Sequence, residues 1–250
     1  MLEAIIVISP KHFHGYITRT LHAAHANLFV YCVDCLIDLM LLDKNLHAKS
    51  RLISFLNPIV IPAFTLQKMK FGAINFHPGP PSYPGYAPYS FALYEGAEQH
   101  GITAHEMIEK VDAGRILALE VFSIESDCKQ AQLVDLCVEY SKKMLAKLAP
   151  MLVREEIPPY IHDTWSTHKF TRAQFIDYCA LNSDISKTEL QRRIRAFGEG
   201  DGEHYLFIWH AGKKYVYQGV CQAGANGDCL DLYGNIFNAA LTLEHQAIHT

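Results

Sequence analysis

Asn75 and His77 stand two residues apart at the end of the apolar run FGAINFH, and a Pro-Gly pair follows at once. Side chains along a strand alternate faces, so these two polar groups share one face while Phe76 enters the opposite layer. An amide NH₂ can hold an oxygen on which negative charge develops, and an imidazole can carry a proton near neutral pH. Asp112, in the later stretch VDAGRIL, can orient and charge-tune such an imidazole. None of the three is a nucleophile, and together they suit acyl transfer between two bound substrates. Taken singly, each has a plainer role: Asn75 could cap a turn, His77 could be a satisfied core histidine, and Asp112 with Gly114 could form only a hairpin turn.

Other chemistries find less support. The loop after the first apolar run, SPKHFHGYIT, has one glycine where a pyrophosphate fingerprint needs three, and no Walker loop or Gly-x-Ser-x-Gly is present. Cys32 and Cys35 form a lone CxxC inside an apolar run and read as structural thiols. His12 with His14, and His22 with His25, lack the further ligands that zinc requires, so no metal site is expected.

The elements that must position the three groups can be read from periodicity. Residues 4–9 form an apolar strand, YITRTLHAAHANL reads as a helix, and FVYCV and RLISFL are strands before the one carrying Asn75. PGPPSYPGYAP then forbids a continuing ladder. Polar groups at a strand's carboxyl end, under a stiff loop, mark where ligands bind in open α/β sheets. YSFALYEGAEQ reads as a helix stopped near Gly96 or Gly101, and GITAHEMIE and GRILALEVFSI as antiparallel strands joined at Asp112–Gly114. A long amphipathic helix starts near Lys129 and ends before EEIPPYI, which predicts a boundary with domains at 1–157 and 158–250. Beyond it, TRAQFIDYCA and SKTELQRRIRAF read as short helices, the second opened by a capping box of Ser186 and Glu189, and HYLFIWHAGKKYVYQGV as a hairpin turning at Gly212. The fold class expected is α/β with a small α+β C-terminal appendage.

With 250 residues, 50% hydrophobic and 19% charged, the chain can bury one full core and a small second one. A formal charge of −4 supplies no basic field for nucleic acid. Seven scattered cysteines, an N-terminal MLEAIIVISP without a basic region, and no apolar stretch of about 20 residues predict a cytoplasmic protein with reduced thiols and no membrane span.

INFHPGPPSYPGYAP, GITAHEM and VDAGRIL, in this order, resemble the signature blocks of the 10-formyltetrahydrofolate-dependent formyltransferases, over roughly residues 50 to 125. The resemblance implies a trimmed Rossmann-like sheet, shorter by about one βα unit, and 10-formyltetrahydrofolate as formyl donor without a metal. By position, Asn75 matches the oxyanion-stabilising asparagine, His77 the catalytic histidine and Asp112 the carboxylate. Thr103 and His105 match a Thr-x-His beside the site, while Ile59, Val60 and Ile61 in NPIVIP match the backbone that meets the pterin. His105 and Gly114 are thus donor-side residues, and Gly79, Pro80, Tyr83 and Tyr86 of the proline loop are substrate-side ones. Gly79 and Pro84 replace a serine and an arginine common in relatives. Arg192 and Arg195, one helical turn apart, either grip a substrate phosphate or form a solvated face.

The family formylates methionyl-tRNA, glycinamide ribonucleotide or nucleotide-linked amino sugars, and one branch hydrolyses the folate. Between residues 160 and 250, eight lysines and arginines face ten acidic residues, a poor clamp for tRNA. The proline loop and the RRIRAF helix before a hairpin look most like the sugar N-formyltransferases of surface-polysaccharide (lipopolysaccharide) synthesis. A nucleotide-linked amino sugar is then the partner, and a homodimer is left open. A methionyl-tRNA formyltransferase, a formyltetrahydrofolate hydrolase and a non-catalytic folate or nucleotide binder are the alternatives. A carboxylate facing the cleft beside His77 should raise the pKa of that histidine.

Overall fold

The structure is a computed structural model that describes residues 1–210, 213–217, 241 and 242. The chain divides into two compact units, one formed by 1–85, 99–123 and 134–169, the other by 86–98, 124–133 and 170–250.

In the first unit, β1 (Ala4–Ile8), α1 (Lys11–Ala24), β2 (Phe29–Val33), the short helices α2 (Leu36–Leu41) and α3 (Lys44–His47), β3 (Ser50–Phe55), α4 (Ala63–Leu66) and β4 (Ala73–His77) follow one another. The second unit contributes α5 (Pro88–Glu95) before the chain returns with β5 (Gln99–Glu106) and β6 (Ile116–Ser123). The six strands form one sheet in the order β2-β1-β3-β4-β5-β6. β1 to β4 are parallel, and β5 and β6 are added antiparallel. All five residues of β1 are fully buried, as the unbroken run AIIVI requires of a central strand covered on both faces. The fold is therefore α/β, dominated by a parallel sheet.

α6 (Gln130–Leu152) begins in the second unit and continues in the first. Arg51 on β3 is fully buried and holds the end of this helix. Its guanidinium donates to the carbonyls of Leu152, Arg154, Glu155 and Glu156 and to that of Phe71 on the chain before β4. A helix end leaves carbonyls without partners, and the fork of one arginine satisfies several at once.

The second unit holds α5, α7 (Arg172–Cys179), β7 (Ala180–Leu181), α8 (Lys187–Phe197), β8 (Phe207–His210), β9 (Lys213–Tyr217) and β10 (Leu241–Thr242), with a sheet in the order β10-β9-β8-β7. β8 and β9 pair antiparallel as expected of a hairpin, while its turn at Gly212 lies outside the described residues. Ser186 caps α8 by accepting from the Glu189 amide, but the Glu189 carboxylate takes the Tyr94 hydroxyl and the Arg193 guanidinium instead of closing the box. The complete capping box is at Thr171 and Gln174 of α7.

The units do not follow the single cut expected at 157. Residues 158–169 stay with the first unit, where the Ile161 amide donates to the Ile116 carbonyl at 2.8 Å. α5 goes with the later helices: Phe91 stacks on Phe170 with ring centres 4.2 Å apart. α1 also begins earlier than its apolar pattern suggested, at Lys11, with Pro10 as the residue before its first turn.

Candidate active site

The register of β4 against β5 builds the site. Asn75 lies opposite His105 and His77 opposite Thr103, so the strand end that carries an amide and an imidazole gains a second imidazole from its antiparallel neighbour. Asn75 Nδ2 and His105 Nε2 are 3.1 Å apart, and the other ring nitrogen of His105 donates to the Glu106 carbonyl at 2.8 Å. Asp112 enters from the β5–β6 connection. Its Oδ1 is 3.3 Å from His105 Nε2 and its Oδ2 is 3.6 Å from His77 Nδ1. His105 Nε2 thus lies between an amide donor and a carboxylate acceptor, and the second ring proton decides which of them it serves.

Asp112 adopts φ +43°, a left-handed backbone that side chains other than those of glycine, Asn and Asp rarely take. The turn is held tightly by Gly114, where a Cβ would overlap the Glu106 carbonyl oxygen. Asp112 Oδ2 also accepts the Gly85 amide at 2.7 Å, which fixes the far end of the proline loop. The near end is held from below. His100 donates to the Pro78 carbonyl at 3.0 Å, the Thr103 hydroxyl donates to the Gly79 carbonyl at 2.7 Å, and the Tyr83 amide closes a turn onto the Pro80 carbonyl at 2.9 Å.

His77 is 4% exposed and Asp112 5%. Both ring nitrogens of His77 face acceptors, since Nε2 donates to the Tyr83 carbonyl at 3.0 Å and Nδ1 faces Asp112. Burial nevertheless outweighs the upward pull of Asp112 and of the Tyr83 carbonyl, and the pKa is lowered; His105 and Lys169 act in the same direction as burial. Asp112 thus pulls in the expected direction, and the expected net rise is corrected by the burial of the ring. Burial alone would raise the Asp112 carboxyl, but His77, His105 and the Gly85 amide hold it well below the ordinary carboxylate range. The pair is a neutral imidazole beside an ionised carboxylate, and Nδ1 is the nitrogen left to take a proton.

The structure brings together Asn75, His77, His105, Asp112 and Gly114, with Gly79, Pro80 and Tyr83 in the loop above them. Ile59, Val60 and Ile61 lie outside helix and strand, between β3 and α4 of the same unit. Val60 is exposed, while Ile59 and Ile61 pack with Ile8, Leu52 and Met107. Leu56, just before them, also has a left-handed φ of +48°. Tyr86, Arg192 and Arg195 belong to the second unit. The Tyr86 hydroxyl donates to Asp201 at 2.5 Å, Arg192 donates to the Tyr94 carbonyl and stacks over the Tyr94 ring, and Arg195 donates to the Cys128 carbonyl at 2.8 Å. Both arginines are thus engaged within that unit. Cys35 of the CxxC caps α2, and Cys32 contacts the Thr18 hydroxyl. Trp165, which no motif or periodicity singled out, packs against both imidazoles of the site.

A strand-end amide, two imidazoles and a carboxylate thus lie together under a proline loop on an α/β sheet. Residues 54–148 match the formyl transferase family model. A methionyl-tRNA formyltransferase from Bacillus cytotoxicus is 36% identical over 105 residues, 42% of this chain and 33% of that protein. The match therefore spans about a third of the length of that curated relative. Among solved structures, a sugar N-formyltransferase from Shewanella superposes with a TM-score of 0.69 at 18% identity, covering 90% of this chain and 100% of that one. An N-formyltransferase from Helicobacter canadensis, in complex with folinic acid and dTDP-3-aminofucose, gives 0.64 at 14% identity, with 90% of each chain covered. At such identities the likeness is one of fold.

Proposed function

We propose that this chain moves the formyl group of 10-formyltetrahydrofolate to the amine of a nucleotide-linked amino sugar, in surface-polysaccharide synthesis. The observation that carries the reading is the constellation of half-buried Asn75 with buried His77, His105 and Asp112 within the stretch that matches the formyl transferase family.

The donor supplies an activated formyl carbon when bound. Ile59, Val60 and Ile61 fit its pterin, since they offer an open backbone connection against an apolar wall containing Ile8, Leu52 and Met107. Asn75 Nδ2 carries two protons; with one directed to His105, the other can donate to the formyl oxygen as charge develops there. His77 keeps Nε2–H on the Tyr83 carbonyl and can take the amine's proton at Nδ1. Asp112 stabilises the proton at that atom from 3.6 Å. Because burial keeps His77 neutral, it can take the proton as the amine nitrogen bonds to the formyl carbon and return it to the departing folate nitrogen as the bond from that carbon to the folate breaks.

The choice of a sugar nucleotide is supported by the fold neighbours and by the acidic excess beyond residue 160. The Bacillus relative favours methionyl-tRNA as the competing acceptor. A thermal-shift panel of dTDP-, GDP-, UDP- and CMP-linked amino sugars tests the two. One nucleotide class should raise Tm, with a ligand at a hundred times its Kd adding about 2.7 kcal/mol. Formylation of methionyl-tRNA, with no response to any sugar nucleotide, would overturn the reading.

A further inference from the structure

Trp165 is half-buried and meets two imidazoles edge-on, its ring centre 5.7 Å from that of His77 and 4.9 Å from that of His105. Its Nε1–H donates to the Gly114 carbonyl at 2.8 Å. Indole nitrogen is a donor only, so this bond fixes how the ring lies, and it ties the ring to the turn that carries Asp112. The surrounding segment is pinned on the same side of the unit. The Ile161 amide donates to the Ile116 carbonyl and the Ser166 amide to the Pro81 carbonyl, each at 2.8 Å, and the Lys169 ammonium donates to the Val111 carbonyl. One apolar ring therefore covers the histidines while its single polar atom holds the Asp112–Gly114 turn.

We propose that Trp165 is a positioning residue that shuts water away from His77 and Asp112, its ring held against the two imidazoles by the bond to Gly114. A dry, fixed carboxylate–imidazole pair is what proton transfer needs, and water admitted to the site would compete with the amine for the formyl group. The inference rests on the formyl-transfer reading only for that last consequence. Its effect on His77 is a property of the free chain.

The groups that face His77 are Asp112 from the β5–β6 connection, His105 and His100 from β5, the Tyr83 carbonyl from the proline loop, and Lys169 beyond α6. None of these groups is substituted in a Trp165 variant, and Asp112 keeps the Gly85 amide, so an upward move of the His77 midpoint reports the lost cover, whereas a displaced Asp112 would move it down. The experiment follows the imidazole of His77 by ¹H–¹⁵N NMR across pH in the full chain without folate or amine, its signal assigned by its loss in His77→Gln. In Trp165→Ala, water reaches the ring and solvates the imidazolium, so the midpoint moves up toward the ordinary histidine range. Trp165→Phe keeps an apolar cover and stays near the wild-type midpoint, and Trp165→Leu falls between the two. With donor and amine added, the ratio of formyl hydrolysed to formyl transferred rises in the same order.

A wild-type midpoint in folded Trp165→Ala, or in Trp165→Leu where the alanine variant does not fold, would overturn the proposal. If the wild-type chain transfers no formyl group to any amine, the proposed function falls, and the titration alone still decides the role of Trp165.

Discussion

Asn75 and His77 are predicted to fail for different reasons. Removing the oxyanion donor in Asn75→Ala or the proton carrier in His77→Ala should each lower turnover by at least about a hundredfold in steady-state assays. Folate binding, measured by fluorescence titration, should survive both, because the pterin is assigned to the backbone near Val60. Asp112→Asn keeps the shape and removes a charge that stabilises the imidazolium. The histidine-dependent limb of the pH–rate profile should then move to lower pH and the maximal rate should fall, whereas an unchanged profile would reduce Asp112 to a turn residue. Asn75 and His77 were legible in sequence because strand alternation and a Pro-Gly stop announce them locally, whereas Asp112 was joined to them through the resemblance of VDAGRIL. The net direction of the His77 pKa was not, because it depends on how completely other elements bury the ring. Trp165 left no local signal at all; its place against the two imidazoles comes from contacts across the fold.

At the level of elements, positioning depends on two backbone devices. Gly114 lets the β5–β6 turn approach the Glu106 carbonyl, so Gly114→Ala must push the turn aside and carry Asp112 with it. A misplacement of about 1 Å is worth roughly a hundredfold in rate, and turnover in Gly114→Ala should fall on that scale. Normal activity in this variant would show that the turn can move freely. Arg51 is the second device. Arg51→Met leaves the carbonyls of Phe71, Leu152, Arg154, Glu155 and Glu156 without their donor. Even partial rescue by water should leave a loss of at least about 3 kcal/mol in urea unfolding. Sequence patterns placed β2, β4 and β6 to within a residue or two, because apolar runs and their stops are local. They gave no hint of a buried arginine in RLISFL, and they assigned the closed capping box to Ser186 when the rival partners of Glu189 lie on α5 and one turn along α8.

For the whole molecule, the expected division at 157 followed composition, whereas the units follow contacts that α5 and residues 124–133 make with later helices. Such long-range pairing is invisible to a local scan. Stability should depend on pH through His100, which burial lowers to about 4, against the bond to the Pro78 carbonyl. An unfolded histidine binds its proton near pH 6.5, so between the two values the unfolded chain holds more protons and stability falls as pH falls. The full effect is about 3 kcal/mol, and His100→Gln should flatten the curve of urea-unfolding free energy against pH in that window. Equal curves for the two proteins would remove His100 as the cause. The most direct measurement of the function itself is single-turnover transfer of an isotopically labelled formyl group from 10-formyltetrahydrofolate, with and without nucleotide-linked amino sugars, in wild type beside folded His77→Ala. The label should appear on the sugar amine with wild type and be nearly absent with the variant. Label released only as formate, or transferred equally well by both proteins, would contradict a formyl transfer run by His77.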